Sequence, residues 1–228
     1  MGATAVDAWG QTCSNPNQMP ATGQTESYNA NTFNANIAIN DDGAVRAGPA
    51  LSYADNGDGT ITDNNTGLMW EKLAQVDTVN TGSGDIHDWR TEFWWSCPLN
   101  VSGMTVCGVN VTIWDKIDEM NRENYAGYSD WRAPNIRELQ SIIDFEAQNP
   151  AVDHVFNNGD QTGMCTDLSN GNCSFTQSSS DYWSSTTESP GDTSDAYAVY
   201  SFNGTVTDDT KTDLDYFRAV RGGCPNGP

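Results

Sequence analysis

From Val111 to Met120 the apolar residues recur at helical spacing, with Ile113, Trp114, Ile117 and Met120 on one face. Thr112 is placed to cap that helix, and Asp115 stands three residues later, so the pair forms the signature of a capping box. A second helix is predicted after Trp131-Arg132-Ala133-Pro134. Asn135 caps it, Glu138 completes a second box, and Ile136, Leu139, Ile142, Ile143 and Phe145 make its buried stripe. On either side the pattern changes to short apolar runs broken by Gly, Asn and Asp. Tyr53 to Lys72 reads as a β-hairpin: Asn56-Gly57-Asp58-Gly59 turns, Thr60-Ile61-Thr62 extends, Asn64-Asn65-Thr66-Gly67 turns again, and Leu68-Met69-Trp70 runs inward. The last third reads as a meander. One strand starts at Tyr182-Trp183-Ser184-Ser185, the next covers Ala196 to Phe202, and Asn203-Gly204 signals a two-residue turn into Thr205-Val206-Thr207. Tyr216 to Arg221 closes the set before Gly222-Gly223. A hairpin, two helices and a meander predict an α+β fold with antiparallel strands rather than a doubly wound parallel sheet.

Residues 1–50 follow neither period. They are rich in Asn, Ala and Thr, and only Asn36 to Asn40 alternates, with Ile37 and Ile39 on one side, as in a short strand. We expect an N-terminal extension over 1–50 that lies across the domain or across a neighbour, followed by a domain over 51–228. With 228 residues, 36% of them hydrophobic, the chain is long enough to bury a real core. Eight Trp, eight Tyr and seven Phe set it apart from disordered chains, which are poor in aromatics. The formal charge is −21, from 31 acidic and 10 basic side chains. Phosphate backbones and anionic membranes need clustered Lys or Arg, so nucleic acid is excluded as a partner. No apolar run approaches the length of a membrane span.

Six cysteines stand at 13, 97, 107, 165, 173 and 224 without a C-x-x-C pair, which argues against zinc and thioredoxin-like sites. Disulfides are the better reading. Among fifteen possible connectivities, loop proximity favours Cys97 with Cys107, Cys165 with Cys173, and Cys13 with Cys224. Such bonds imply export, so a mature secreted chain is expected. The oxygen-rich turn Asp55, Asn56, Asp58 and Asp63 is a candidate calcium site, because hard cations take oxygen ligands. Its register does not fit an EF-hand, in which Gly59 would make Ala54 the first ligand. Asp208, Asp209, Asp213 and Asp215 form a second acidic group, expected on a loop between strands. Phe93-Trp94-Trp95 beside Cys97 cannot all point inward, which makes Trp94 and Trp95 candidate binding residues, whereas Trp70, Trp114, Trp131 and Trp183 read as core. The two histidines, His87 and His154, have no evident nucleophile beside them, and Ser184-Ser185 lacks a G-x-S-x-G elbow, so no catalytic constellation is read.

Four ordered motifs resemble the Lcl C-terminal domain family, named for the Legionella collagen-like adhesin. They are Asp55 to Asp63 with Thr66-Gly67-Leu68-Met69-Trp70; Trp131-Arg132-Ala133-Pro134 with Glu138-Leu139; Tyr182-Trp183-Ser184-Ser185-Thr186; and Phe217-Arg218-Ala219-Val220-Arg221-Gly222-Gly223. Leu is commoner in the family at the place of Ala133. Thr22-Gly23-Gln24-Thr25 resembles a segment that often precedes the domain. The resemblance implies a C-type-lectin-like fold, two helices flanking small twisted sheets, shared by lectins, adhesins, phage receptor-binding proteins and the formylglycine-generating oxidases. It also implies a ligand face on the loops near the final strands. Here that means residues 186–195 and 203–215, with Glu188, Asp192, Asp195, Asn203, Asp208, Asp209, Asp213 and Asp215 as candidate contacts. The adhesin's sulfated polysaccharide is not carried over, since this chain has no Gly-X-Y stalk and would repel sulfates.

Two readings follow. The first is a non-catalytic, extracellular or cell-surface adhesion module that binds a glycan or a protein. The second is a subunit of an extracellular filament or coat, a homopolymer assembled through residues 1–50. Calcium is the one cofactor the sequence suggests.

Overall fold

The computed structural model describes residues 20–26, 41–74, 85–97, 107, 111–158, 173–188 and 193–223. Within them, short helices accompany three small antiparallel sheets, an α+β arrangement. The first sheet has four strands in the order β1 (Tyr53–Asp55), β2 (Thr60–Asp63), β3 (Leu68–Glu71) and β9 (Val220–Gly222). A second pairs β4 (Phe93–Trp94) with β8 (Leu214–Asp215), and a third is the meander β5 (Asp181–Thr187), β6 (Asp195–Tyr200) and β7 (Thr205–Thr210). The helices are α1 (Asp42–Val45), α2 (Ile113–Glu123) and α3 (Ile136–Gln140).

Local chemistry places several of these elements where the sequence puts them. Both capping boxes form: Thr112 and Asp115 satisfy each other's backbone at the start of α2, and Asn135 and Glu138 do so at α3. The first hairpin turns at Asn56–Gly59, where Asp55 Oδ1 accepts from Gly57 N at 2.9 Å and Asp58 Oδ1 from Thr60 N at 3.1 Å. Two apolar clusters form most of the core, beside a smaller one of Ala74, Cys173 and Phe175. One joins Ile61, Trp70, Leu139, Ile143, Phe156 and Val220, and the other joins Phe93, Ile113, Met120, Trp131, Trp183 and Phe217.

The structure corrects four expectations. Trp114 is 39% exposed, so the apolar face of α2 consists of Ile113, Ile117 and Met120. Helix α3 stops at Gln140; Ile142 and Ile143 are buried beyond its end, where Ile143 bridges to Val152, and Phe145 is 44% exposed. The turn between β6 and β7 has four residues rather than two, because the carbonyls of Ser201 and Phe202 accept from Ala151 N (2.7 Å) and Asn149 N (2.9 Å). Those bonds hold Ser201 and Phe202 off the ladder, and Gly204 N closes the loop on Tyr200 O at 2.9 Å. Finally, Tyr216 to Arg221 is not one strand. Tyr216 bonds across β5, giving its carbonyl to Trp183 N at 2.9 Å, whereas Val220 lies in the first sheet beside Trp70. The run crosses from one sheet to the other, and Phe217 and Arg218 fill the space between.

The proposed strand at Asn36 to Asn40 lies outside the described residues. Residues 20–26 lie against their own domain. Thr22 O accepts from Phe145 N at 2.9 Å, and Glu146 Oε2 accepts from Thr25 N at 2.8 Å. The short helix α1 interrupts a stretch that the sequence left without helix; Asp41 caps it, accepting from Ala44 N.

Candidate functional site

The sequence candidates separate into three places. The calcium candidates of the first hairpin do not converge. Asp55 Oδ2 pairs with Lys72 Nζ, Asp58 Oδ1 accepts from Thr60 Oγ1 at 2.6 Å, and Asn56 Nδ2 donates to Thr60 and Thr62. Asp63 closes the next turn, accepting from Asn65 N (2.8 Å) and from Thr66 N (3.3 Å) and Oγ1 (2.6 Å). Asp58 and Asp63 serve their own turns, and Asp55 divides its oxygens between its turn and Lys72.

The third sheet and neighbouring β8 gather the other acidic residues. Asp208 and Asp209 lie on β7 and Asp215 on β8, so the group expected on a loop is held largely by strands. Strand alternation separates its members. Asp209 pairs with Ala196, and Asp208 with Tyr197, so they point to opposite faces. On one face stand Asp195, Tyr197 and Asp208, and a carboxylate oxygen from each of Glu188, Asp195 and Asp208 lies within 4.8 Å of the other two. On the other face one carboxylate oxygen from each of Asp181, Asp209 and Asp215 also lies within 4.8 Å of the other two. Burial, with the charges of Asp209, Asp181 and Asp213 added, pushes the Asp215 carboxyl up to about 8. Asp213 is raised as well, by burial and Asp209. Asn203 holds its own turn, accepting from Thr205 N and Oγ1, and Asp192 falls outside the described residues.

The aromatic candidates adjoin this sheet. Trp95 Nε1 donates to Ser184 O of β5 at 2.9 Å, and its ring lies edge-on to exposed Trp114, with centroids 5.0 Å apart. Lys211, at the end of β7, sits 4.3 Å from the Trp95 ring centroid. Trp94 is half-buried, and its indole donates to Cys107 O at 3.1 Å. The Cys97–Cys107 disulfide forms, and Cys173 is also disulfide-bonded; Cys13, Cys165 and Cys224 lie outside the described residues.

A buried ionic network escaped the sequence reading. Glu71 Oε2 lies 2.9 Å from Lys116 Nζ, and its Oε1 lies 2.7 Å from His87 Nδ1, whose ring stacks on Tyr125 at 4.1 Å. Burial alone would raise Glu71, but Lys116 and His87 outweigh it and hold the carboxyl at about 2. Arg218 lies alongside, donating to Glu71 O and Phe175 O, both at 2.7 Å. Every member of this network is packed against protein, so it organises the join between the first sheet and α2. His154 is exposed beside Asp153, and Ser184 Oγ donates to Tyr197 O.

The remaining motif residues have similar duties. Arg132 grips Glu138 through two bonds of 2.7 Å and also donates to Gly222 O. Arg221 bonds Asp130 at 2.7 Å and covers the Tyr128 ring. Arg132, Glu138 and Arg221 belong to the motifs read in the sequence, and the family model of the Lcl C-terminal domain matches residues 59–221. The chain belongs to the Lcl C-terminal domain family. No curated protein matches it. In this Lcl C-terminal domain the shared motifs therefore build the core, whereas the acidic sheet faces and the Trp95–Trp114 pair lie mostly outside them. Among the described residues, no helix is long and apolar enough to cross a membrane.

Proposed function

We propose that this Lcl C-terminal domain is a non-catalytic, surface-exposed adhesion module that binds an uncharged glycan on the β5–β6–β7 sheet and the adjoining Trp95–Trp114 pair. Membership of an adhesin-associated family supports the class of function. The observations that carry the ligand are Tyr197, half-exposed on the same sheet face as the carboxylates of Asp195 and Asp208, and the partly exposed Trp95–Trp114 pair, which is tied to β5 through Ser184 O. Sugar rings stack on aromatic faces, and their hydroxyls donate to carboxylates. A net charge of −21 disfavours sulfated chains. The architecture fits a C-type-lectin-like fold, in which α2 and α3 flank small sheets and ligands meet the last strands. Secretion to the cell surface accords with the disulfides. The docking of residues 20–26 on their own domain favours this reading over a filament subunit.

The test is an immobilised panel of uncharged, amino-bearing and sulfated oligosaccharides, probed with the purified chain. Saturable retention by uncharged members supports the reading. Retention by sulfated members alone, or by none, refutes the glycan assignment, and a protein ligand then becomes the better reading.

A further inference from the structure

Asp215 is 9% exposed, and its Oδ2 is buried without a hydrogen-bond partner. Leaving a carboxylate oxygen in that state is costly, because nothing replaces the water it gave up. It faces two more carboxylates. Asp181 opens β5 and Asp209 lies near the end of β7, and one oxygen from each of the three stands within 4.8 Å of the others. Three strands thus deliver three carboxyl groups to one point. Two of the side chains are fixed in place, Asp181 Oδ1 by Thr207 Oγ1 at 2.6 Å and Asp209 Oδ1 by Thr210 N at 2.8 Å. The cation on this hairpin is engaged elsewhere: Lys211 Nζ donates to Thr187 Oγ1 at 3.0 Å and Thr193 O at 2.7 Å.

We propose that Asp181, Asp209 and Asp215 form a binding site for a divalent cation of the calcium class. The donors are all oxygen, with no imidazole or thiolate among them, which selects a hard cation over zinc or copper. The spread also fits. Calcium–oxygen bonds of about 2.3–2.6 Å let ligands on opposite sides of the ion stand about 4.6–5.2 Å apart. A cation supplies the partner that Asp215 Oδ2 lacks and offsets the crowding of three carboxyl groups at one point. It also ties β5, β7 and β8 together. The Glu188, Asp195 and Asp208 group, on the opposite face, is a natural comparison, since none of its oxygens is buried without a partner. This site does not rest on the glycan reading, and either can fail without the other.

The full chain, stripped with chelator, would be titrated with calcium chloride by calorimetry and melted at constant ionic strength. The expected result is one saturable site per chain. The melting temperature should rise about 5–10 °C at free calcium about a hundredfold above Kd. Asp209→Asn should abolish both effects, and Asp208→Asn should keep them. Asp215→Asn removes the buried carboxyl while conserving shape. It should fold, melt in chelator at or above the native temperature, and show no calcium-induced rise. Absence of saturable heat at millimolar calcium would overturn the proposal. So would calcium binding that survives Asp209→Asn and Asp215→Asn, or that is lost in Asp208→Asn.

Discussion

Glu71 and Lys116 meet at 2.9 Å with neither side chain exposed to solvent. One comes from β3 and the other from α2, so the pair joins the first sheet to the helix beneath it. Breaking a buried pair strands the surviving charge, which costs more than the pair itself contributes. Lys116→Met should therefore destabilise the protein by about 3–5 kcal/mol in urea unfolding. The double variant with Glu71→Gln should recover much of that loss. A single variant as stable as the parent would mean that the ion pair does not hold the join.

The same pair sets the acid limit. Glu71 is held at about 2, below the ordinary 4.5 of a glutamate. A depressed folded-state pKa gives stability that is complete above the unfolded value and lost as pH falls through the folded one. The urea midpoint should thus decline from about pH 4.5 toward pH 2, and Glu71→Gln should flatten that part of the profile. Identical slopes for the two proteins would assign acid unfolding to other carboxylates.

Gly204 carries φ +74°, and a Cβ there would stand 2.4 Å from Ile143 Cγ2. Both backbone and space demand glycine. Gly204→Ala should cost about 1–3 kcal/mol, read as a lower melting temperature. The position was marked in the sequence by Asn203-Gly204, but the loop length was not, because it depends on Asn149 and Ala151 from a distant segment.

That contrast explains what the sequence disclosed. Thr112 with Asp115 and Asn135 with Glu138 are three residues apart, so their chemistry is complete in a local window. The Asn56–Gly59 turn is legible for the same reason. The convergence of Asp181 on Asp209 and Asp215 needs two strand crossings, and no spacing rule anticipates it. Glu71, Lys116 and Arg218 were hidden because charged residues are read as surface unless a partner is visible. Tyr216 to Arg221 looks like one strand because the change of sheet leaves no mark on an extended apolar run.

The Cys97–Cys107 bond closes a short loop whose end holds the Trp94 indole through Cys107 O. Non-reducing peptide mapping should find that pair linked and Cys173 in a disulfide. Replacing Cys97 and Cys107 with serine should cost about 2–3 kcal/mol by the loop-entropy account. Free thiols at Cys97 and Cys107 in the natively produced protein would remove the argument for export.

The ligand face is tested most directly by the indole N–H signals in an NMR titration. The oligosaccharide best retained on the panel would be added to labelled chain. Trp95 and Trp114 should shift progressively and saturate, while buried Trp131 and Trp183 stay in place, and Trp114→Ala should weaken binding at least about tenfold, the order expected for one stacked ring with its buried area. Saturation with Trp95 and Trp114 unmoved, or undiminished binding by Trp114→Ala, would contradict a glycan site on this face.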